Sequence, residues 1–228
     1  MNRTMSVVRM HTIDKFNWMI LPWIIMFSSF TVNLIIGYFL GGEQPMYTGG
    51  IISLFIFLMV IGIITPVQMF PFALGFSVRR KDFFFGVTLI AVLFSAFSAI
   101  ALLLLSLVEG WTGRWGVNLH FFSLPYVNDG SRIEQFILYF ALMLCFFFTG
   151  FIISSMYRRF GKSGVFTFFI AIFLLLTIIG FVGNFYGWWL ELFNFVSKQT
   201  AFQLSLCTIP VTIVCALLSY LMLRKSTI

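Results

Sequence analysis

Few residues in this chain could do chemistry. Among 228 residues there are two histidines and seven acidic side chains, against fourteen lysines and arginines. A zinc site needs histidine, cysteine or carboxylate ligands close together, as in a His-Glu-x-x-His helix. His11 lies in the N-terminal tail and His120 in a distant loop, so the pair is not expected to share a metal. Cys145, Cys207 and Cys215 all fall within apolar runs. They read as small packing residues, not as a disulfide set or thiolate site. No paired carboxylates occur at helical spacing within an apolar run, and there is no Gly-x-Ser-x-Gly elbow. Gly161-Lys162-Ser163 imitates the end of a phosphate-binding loop, but that motif needs a glycine where Met156 stands. The chain is therefore not expected to be an enzyme, and no cofactor or metal is expected within it.

The elements around these residues are apolar. The chain is 61% hydrophobic and 9% charged, with a mean hydropathy of +1.04. A globular chain carries about 25% charge. Six charge-free windows stand out, at 17–40, 49–72, 83–108, 135–157, 163–183 and 199–223. Each can cross a hydrocarbon core of about 30 Å as a helix. Helix is the form that pairs every backbone group within lipid. The expected fold class is all-α integral membrane, with six transmembrane helices in one domain over residues 1–228. Residues 1–16 are expected to form an interfacial helix, 17–223 the six spans and 224–228 a tail. The first run is too long for a signal-peptide core and is expected to stay as an anchor.

Charge sets the orientation. Eleven of the fourteen basic residues lie in the tails or in the segments after the second and fourth windows, among them Arg79, Arg80, Lys81, Arg158, Arg159, Arg224 and Lys225. Only Arg114, Arg132 and Lys198 fall on the other side. By the positive-inside rule both termini face the cytoplasm of a multi-pass cell-membrane protein. The net charge of +7 is thus a topology signal, and no nucleic-acid partner is expected. No Asp, Glu, Lys, Arg or His lies centrally in any window. Ion-coupled carriers keep such groups as relays, so a transporter built from this chain needs an outside source of energy.

The most informative segment runs from Pro71 to Gly86, Pro-Phe-Ala-Leu-Gly-Phe-Ser-Val-Arg-Arg-Lys-Asp-Phe-Phe-Phe-Gly. Pro71 can interrupt the second helix and Gly75 permits a sharp turn. The mixture of aromatics and charges suits a short helix lying at the interface, and equally an ordinary positive-inside anchor. Its Leu-Gly-x-Ser-x-Arg-Arg-Lys-Asp-Phe-Phe-x-Gly pattern, placed after the second of six spans, resembles the permease subunits of bacterial ABC-2 type exporters. The short basic N-terminus and the chain length fit the same resemblance. It implies that the segment is a coupling helix docking on a separate ABC ATPase subunit. The docking residues would be Gly75, Phe76, Ser77, Arg79, Arg80, Lys81, Asp82, Phe83 and Gly86. It also implies two permease copies, as a homodimer or related heterodimer, with two ATPase subunits that hold ATP and Mg.

The loops at 109–134 and 184–198 are rich in tryptophan, tyrosine and phenylalanine, which favour the membrane boundary. Both are expected to lie on or dip into the outer leaflet. In ABC-2 permeases the stretch before the sixth span forms short re-entrant helices; by that resemblance Trp188, Trp189, Glu191 and Phe193 would gate the outer end, with bends at Gly180, Gly183 and Gly187. Asn33 and Gln68 are candidate pathway residues, since an amide in lipid demands a partner. The 32 phenylalanines and 11 methionines suit an amphipathic cargo, such as a peptide, toxin or drug. Two other readings fit the same hydropathy: the substrate-binding membrane subunit of a vitamin importer, and a non-transporting scaffold or signalling partner.

Overall fold

The structure, a computed structural model, describes residues 16–42, 44–128 and 130–226. The expected N-terminal interfacial helix lies mostly outside them. A π-helical turn at Phe16–Ile20 leads into α1, Leu21–Phe39. There follow β1 (Met46–Tyr47), α2 (Ile52–Gly75), α3 (Arg80–Trp111), a 3₁₀ turn at Arg114–Gly116 and β2 (Leu119–His120). The chain closes with α4 (Pro125–Asn128), α5 (Arg132–Phe185), α6 (Trp188–Lys198) and α7 (Ala201–Arg224). Among the described residues, five helices are long and apolar enough to cross a membrane.

Local sequence accounts for where these helices begin and break. Ser131 and Glu134 form a reciprocal capping box at the start of α5, and Thr200 and Gln203 form another at the start of α7. The 54 residues of α5 are interrupted at Gly161, whose φ of 70° and ψ of −168° are not helical. Only glycine adopts that geometry without a Cβ penalty. The break divides α5 into arms at 132–160 and 162–185. Pro66 and Pro71 both sit inside α2, which runs on to Gly75. The expected interruption at Pro71 does not occur; prolines are tolerated in apolar helices whose freed carbonyls are re-satisfied by neighbours.

The core lies where α2, α3 and the first arm of α5 meet, around Leu58, Phe70, Phe83, Leu102, Met143 and Phe147. Two glycines set the closeness of α2 and α5. A Cβ on Gly62 would collide with the Phe147 carbonyl oxygen, and a Cβ on Gly150 with the Met59 carbonyl oxygen. The two backbones therefore touch through small residues, the usual way apolar helices gain dispersion contact without a hydrophobic drive between them.

The bundle has two distinct ends. Arg80, at the start of α3, donates to the carbonyl of Arg224 at the end of α7, at 2.7 Å. The Arg158 guanidinium of α5 lies 5.6 Å from the Phe70 ring near the end of α2. These contacts gather the basic segments at one end. At the other, Met46 donates to the Asn118 carbonyl at 3.0 Å, and the Tyr126 hydroxyl to the carbonyl of Gln199 at 2.7 Å. We call these the basic end and the cap end.

Candidate functional site

The basic elbow joins α2 to α3 in four residues. Ser77 takes a left-handed φ of 57°. The Ser77 amide donates to the Leu74 carbonyl at 2.9 Å, and the Val78 amide to the Ala73 carbonyl at 3.1 Å. This is a Schellman closure, with buried Val78 beside buried Ala73. The turn is therefore made at Ser77, not at Gly75, which remains helical. No separate interfacial helix forms: α2 and α3 take up nearly the whole segment and leave only Phe76–Arg79 between them. An apolar run carries α2 to the turn, while α3 starts on Arg80, Lys81 and Asp82 ahead of its own apolar run at Phe83.

The residues of this elbow differ sharply in access. Gly75, Phe76, Ser77, Arg79 and Lys81 are exposed, with Phe76 at 65%. Arg80 and Asp82 are half-buried. Phe83 is 0% exposed, its ring 5.2 Å from that of Phe70, and Gly86 is also buried. Those two pack the core and do not present a surface. Arg80 caps α7, placing a cation on the negative end of that helix. Lys81 lies 5.8 Å from the Phe85 ring. Arg79 is the N-cap residue of α3 and makes no side-chain cap. Asp82 is the one acidic residue in the first turn. The other charges sit against the positive pole of α3, where each cation costs about 0.3–1 kcal/mol at low ionic strength.

At the cap end one carboxylate organises the loop that follows α3. Glu109 is 0% exposed. Its Oε2 accepts from the Trp115 indole at 3.1 Å, the Phe121 amide at 3.1 Å and the Phe122 amide at 2.8 Å. Its Oε1 accepts from the Ser123 amide at 3.0 Å. The loop is thereby folded back on the bundle. Phe121 and Phe122 become fully buried, both packing on Phe30 of α1 with centroids 5.2 and 5.5 Å away. The Phe122 carbonyl in turn accepts from Tyr139 of α5 at 3.4 Å. Part of the expected aromatic belt is thus protein core, while Trp111 remains exposed. The sequence signal was an acid at the close of an apolar run, with aromatics a dozen residues later.

No family model, curated protein or solved structure matches this chain.

The segment before α7 forms one 11-residue helix, α6, entered through Gly187 at φ 70°. Gly180 and Gly183 stay helical within α5 and make no bend. The Trp189 indole donates to the Gly180 carbonyl at 3.4 Å. Trp188, Trp189 and Phe193 are exposed. At 100° per residue, Trp188, Trp189, Leu192, Phe195 and Val196 share one face, bordered on one side by Glu191, Lys198 and Asn194. An amphipathic helix with a bare apolar face suits a bilayer boundary.

Asn33 and Gln68 are not brought together by any hydrogen bond among the described residues. The Asn33 amide donates to the Ser29 carbonyl of its own helix at 2.8 Å. Gln68 and Thr65 line a cavity of about 400 Å³ between Trp18, Leu21 and α2. A larger cleft of about 900 Å³ lies between α1 and α3, walled by Trp23, Phe27, Phe97 and Leu104. Most hydroxyls in the long helices bond back one turn, as Thr65, Thr149 and Thr212 do at 2.7–2.8 Å.

Proposed function

We propose that the protein is the membrane permease subunit of an ATP-driven ABC-type exporter in the cell membrane. It crosses the bilayer six times and takes its energy from a separate ATPase that docks on the basic elbow. The break at Gly161, which divides α5 into two arms, supports the count of six. The first arm of α5 reaches the basic end at Arg158, and Gln199 stands at the cap end. The second arm is the return path between them. Positive-inside asymmetry then puts the basic end in the cytoplasm.

The observation that carries this reading is the exposure of Arg79 and Lys81 at the positive pole of α3. An intrahelical role would place acids there instead. Cations held in that position are compensated by an external negative surface, of a partner protein or of lipid headgroups. No Asp, Glu, Lys, Arg or His lies centrally in the apolar windows to serve as a proton relay, which favours a partner that hydrolyses ATP. The apolar cleft between α1 and α3 has the lining an amphipathic cargo would need. Two permease copies and two ATPases make the functional unit by analogy with ABC-2 exporters, which is a fold-level argument.

The test is ATP photo-labelling of proteins cross-linked to a cysteine placed at Phe76 in native membranes. An ATP-labelled partner is expected, and its capture falls at least tenfold in the Arg79→Glu, Lys81→Glu double variant. Undiminished capture after charge reversal removes the docking assignment.

A further inference from the structure

We propose that the cap end holds a binding site for a small zwitterion, a molecule carrying an ammonium and an anionic group a few ångströms apart. A cavity of about 550 Å³ opens beside the loop that Glu109 gathers. Its walls are glycines together with Glu109, Arg114, Asn118, His120 and Ser123. In a chain that is 61% hydrophobic, none of these lining residues has a large apolar side chain. The volume lies within the range of about 300–1,000 Å³ usual for small-ligand sites.

The polar atoms divide into two groups. On one side are acceptors with unused capacity. Glu109 Oε1 takes a single hydrogen bond, from the Ser123 amide, and a carboxylate oxygen can take two. His120 is 7% exposed, and its Nδ1 lies 3.2 Å from the Ser123 carbonyl oxygen. A carbonyl only accepts, so in the neutral ring Nδ1 carries the proton and Nε2 is left as an acceptor. That buried Nε2 has no hydrogen-bond partner among the described residues. Leaving such an acceptor unpaired is a standing cost that a ligand donor would remove. On the other side are donors. Arg114 donates through Nη1 to Asn118 Oδ1 at 3.1 Å, leaving the rest of its fork and the Asn118 amide nitrogen for an anion.

The two charged groups line the same cavity without pairing. Among the described residues no ion pair within 4.0 Å joins Arg114 to Glu109. One positive and one negative group kept apart around an empty volume match a ligand with the reverse arrangement. The backbone that holds the donors is strained for the purpose: Arg114, Trp115 and Asn118 have φ values of 59°, 62° and 53°. Non-glycine residues at such angles cluster at ligand-holding turns. The chemistry is shared by the phosphoethanolamine headgroup of a lipid and by a free zwitterion from outside. The site rests on the cap geometry alone and not on the exporter reading.

The experiment uses the full chain with ¹⁵N-labelled histidine in nanodiscs of phosphatidylglycerol. The sequence has two histidines, so His11→Gln leaves His120 as the sole reporter. Titrated phosphoethanolamine is expected to shift the Nε2 resonance saturably, while inorganic phosphate and ethanolamine singly do not. Arg114→Ala is expected to weaken that response about tenfold, by loss of the charge-assisted bonds, and Arg114→Lys to restore part of it. Arg114 is exposed, and an unchanged thermal melt verifies that its variants fold. If discs containing phosphatidylethanolamine give the shift unprompted, the source is lipid; if only the soluble compound does, it is a free zwitterion. No shift from either source, an equal shift with phosphate alone, or a response undiminished in Arg114→Ala overturns the proposal.

Discussion

At the cap end, buried Glu109 takes four donors from a loop that would otherwise be loose. At the basic end, Arg79 has no side-chain partner among the described residues, and Lys81 has only a ring for company. Both regions connect apolar helices, and both carry charge. In one a buried carboxylate uses most of its hydrogen-bonding capacity internally and fixes a shape. In the other it is turned outward at a helix pole that disfavours it. The comparison separates charge used to fold from charge left available, which is why the elbow and not the cap is the better candidate for a macromolecular partner.

The sharpest way to break that contrast is to remove the internal charge. Glu109→Ala strands three backbone amides and an indole, and is expected to lower stability by roughly 3–5 kcal/mol. Thermal unfolding in detergent measures it, with new proteolysis expected between residues 112 and 118. A melt within a degree or two of the parent would show that the cap does not depend on the carboxylate. Next comes the ground common to both ends. Gly150→Ala forces a Cβ onto the Met59 carbonyl and is expected to cost roughly 1–3 kcal/mol as overpacking. Gly62→Ala should cost about the same against Phe147, because the two glycines serve one crossing.

The elbow itself should be nearly silent in stability. Arg80→Ala, which frees the α7 terminus, is expected to cost about 0.5–1 kcal/mol, whereas Arg79→Ala and Lys81→Ala each remove a cation from the positive pole of α3 and are expected to stabilise by about 0.3–1 kcal/mol at low ionic strength. Equal losses at all three positions would erase the distinction between a capping and an available cation. The turn residue also acts in the stabilising direction. Ser77→Gly relieves a left-handed residue, whose penalty is about 1–2 kcal/mol, and after glycine's extra chain entropy is expected to stabilise by up to about 1 kcal/mol. The same thermal unfolding in detergent reads all four.

The five long helices follow from hydropathy, because transfer from water to lipid depends on composition over a window of about 20 residues. With the π-helical turn counted into the first span, the window edges missed by one to three residues: α3 begins at Arg80, not at residue 83, because a charged side chain can extend a helix past the apolar boundary while its head stays wet. The Gly161 break lies between two windows and was legible. The form of the elbow was not. Pro71 and Gly75 carry strong local signals for interruption, yet lipid-facing helices override them, and the turn fell on Ser77. In the sequence Glu109 marks only the start of the aromatic-rich loop at 109–134. Its role depends on amides 12 to 14 positions away, a tertiary pairing that no local spacing encodes. In α6 the exposed aromatic face could be read from sequence, and of the expected bends only that at Gly187 occurs, with Gly180 and Gly183 helical.

The most direct test of the account is two-sided labelling of intact cells with a membrane-impermeant maleimide. Phe76 and Trp111 are exposed at opposite ends of the bundle, and the native cysteines at 145, 207 and 215 are first replaced by serine. A cysteine at Trp111 is predicted to react from outside. One at Phe76 should react only after the membrane is opened, and more slowly when an ATPase partner is bound. Reaction of both from the same side, or of Phe76 from outside, would contradict a cytoplasmic elbow and the externally powered permease built on it.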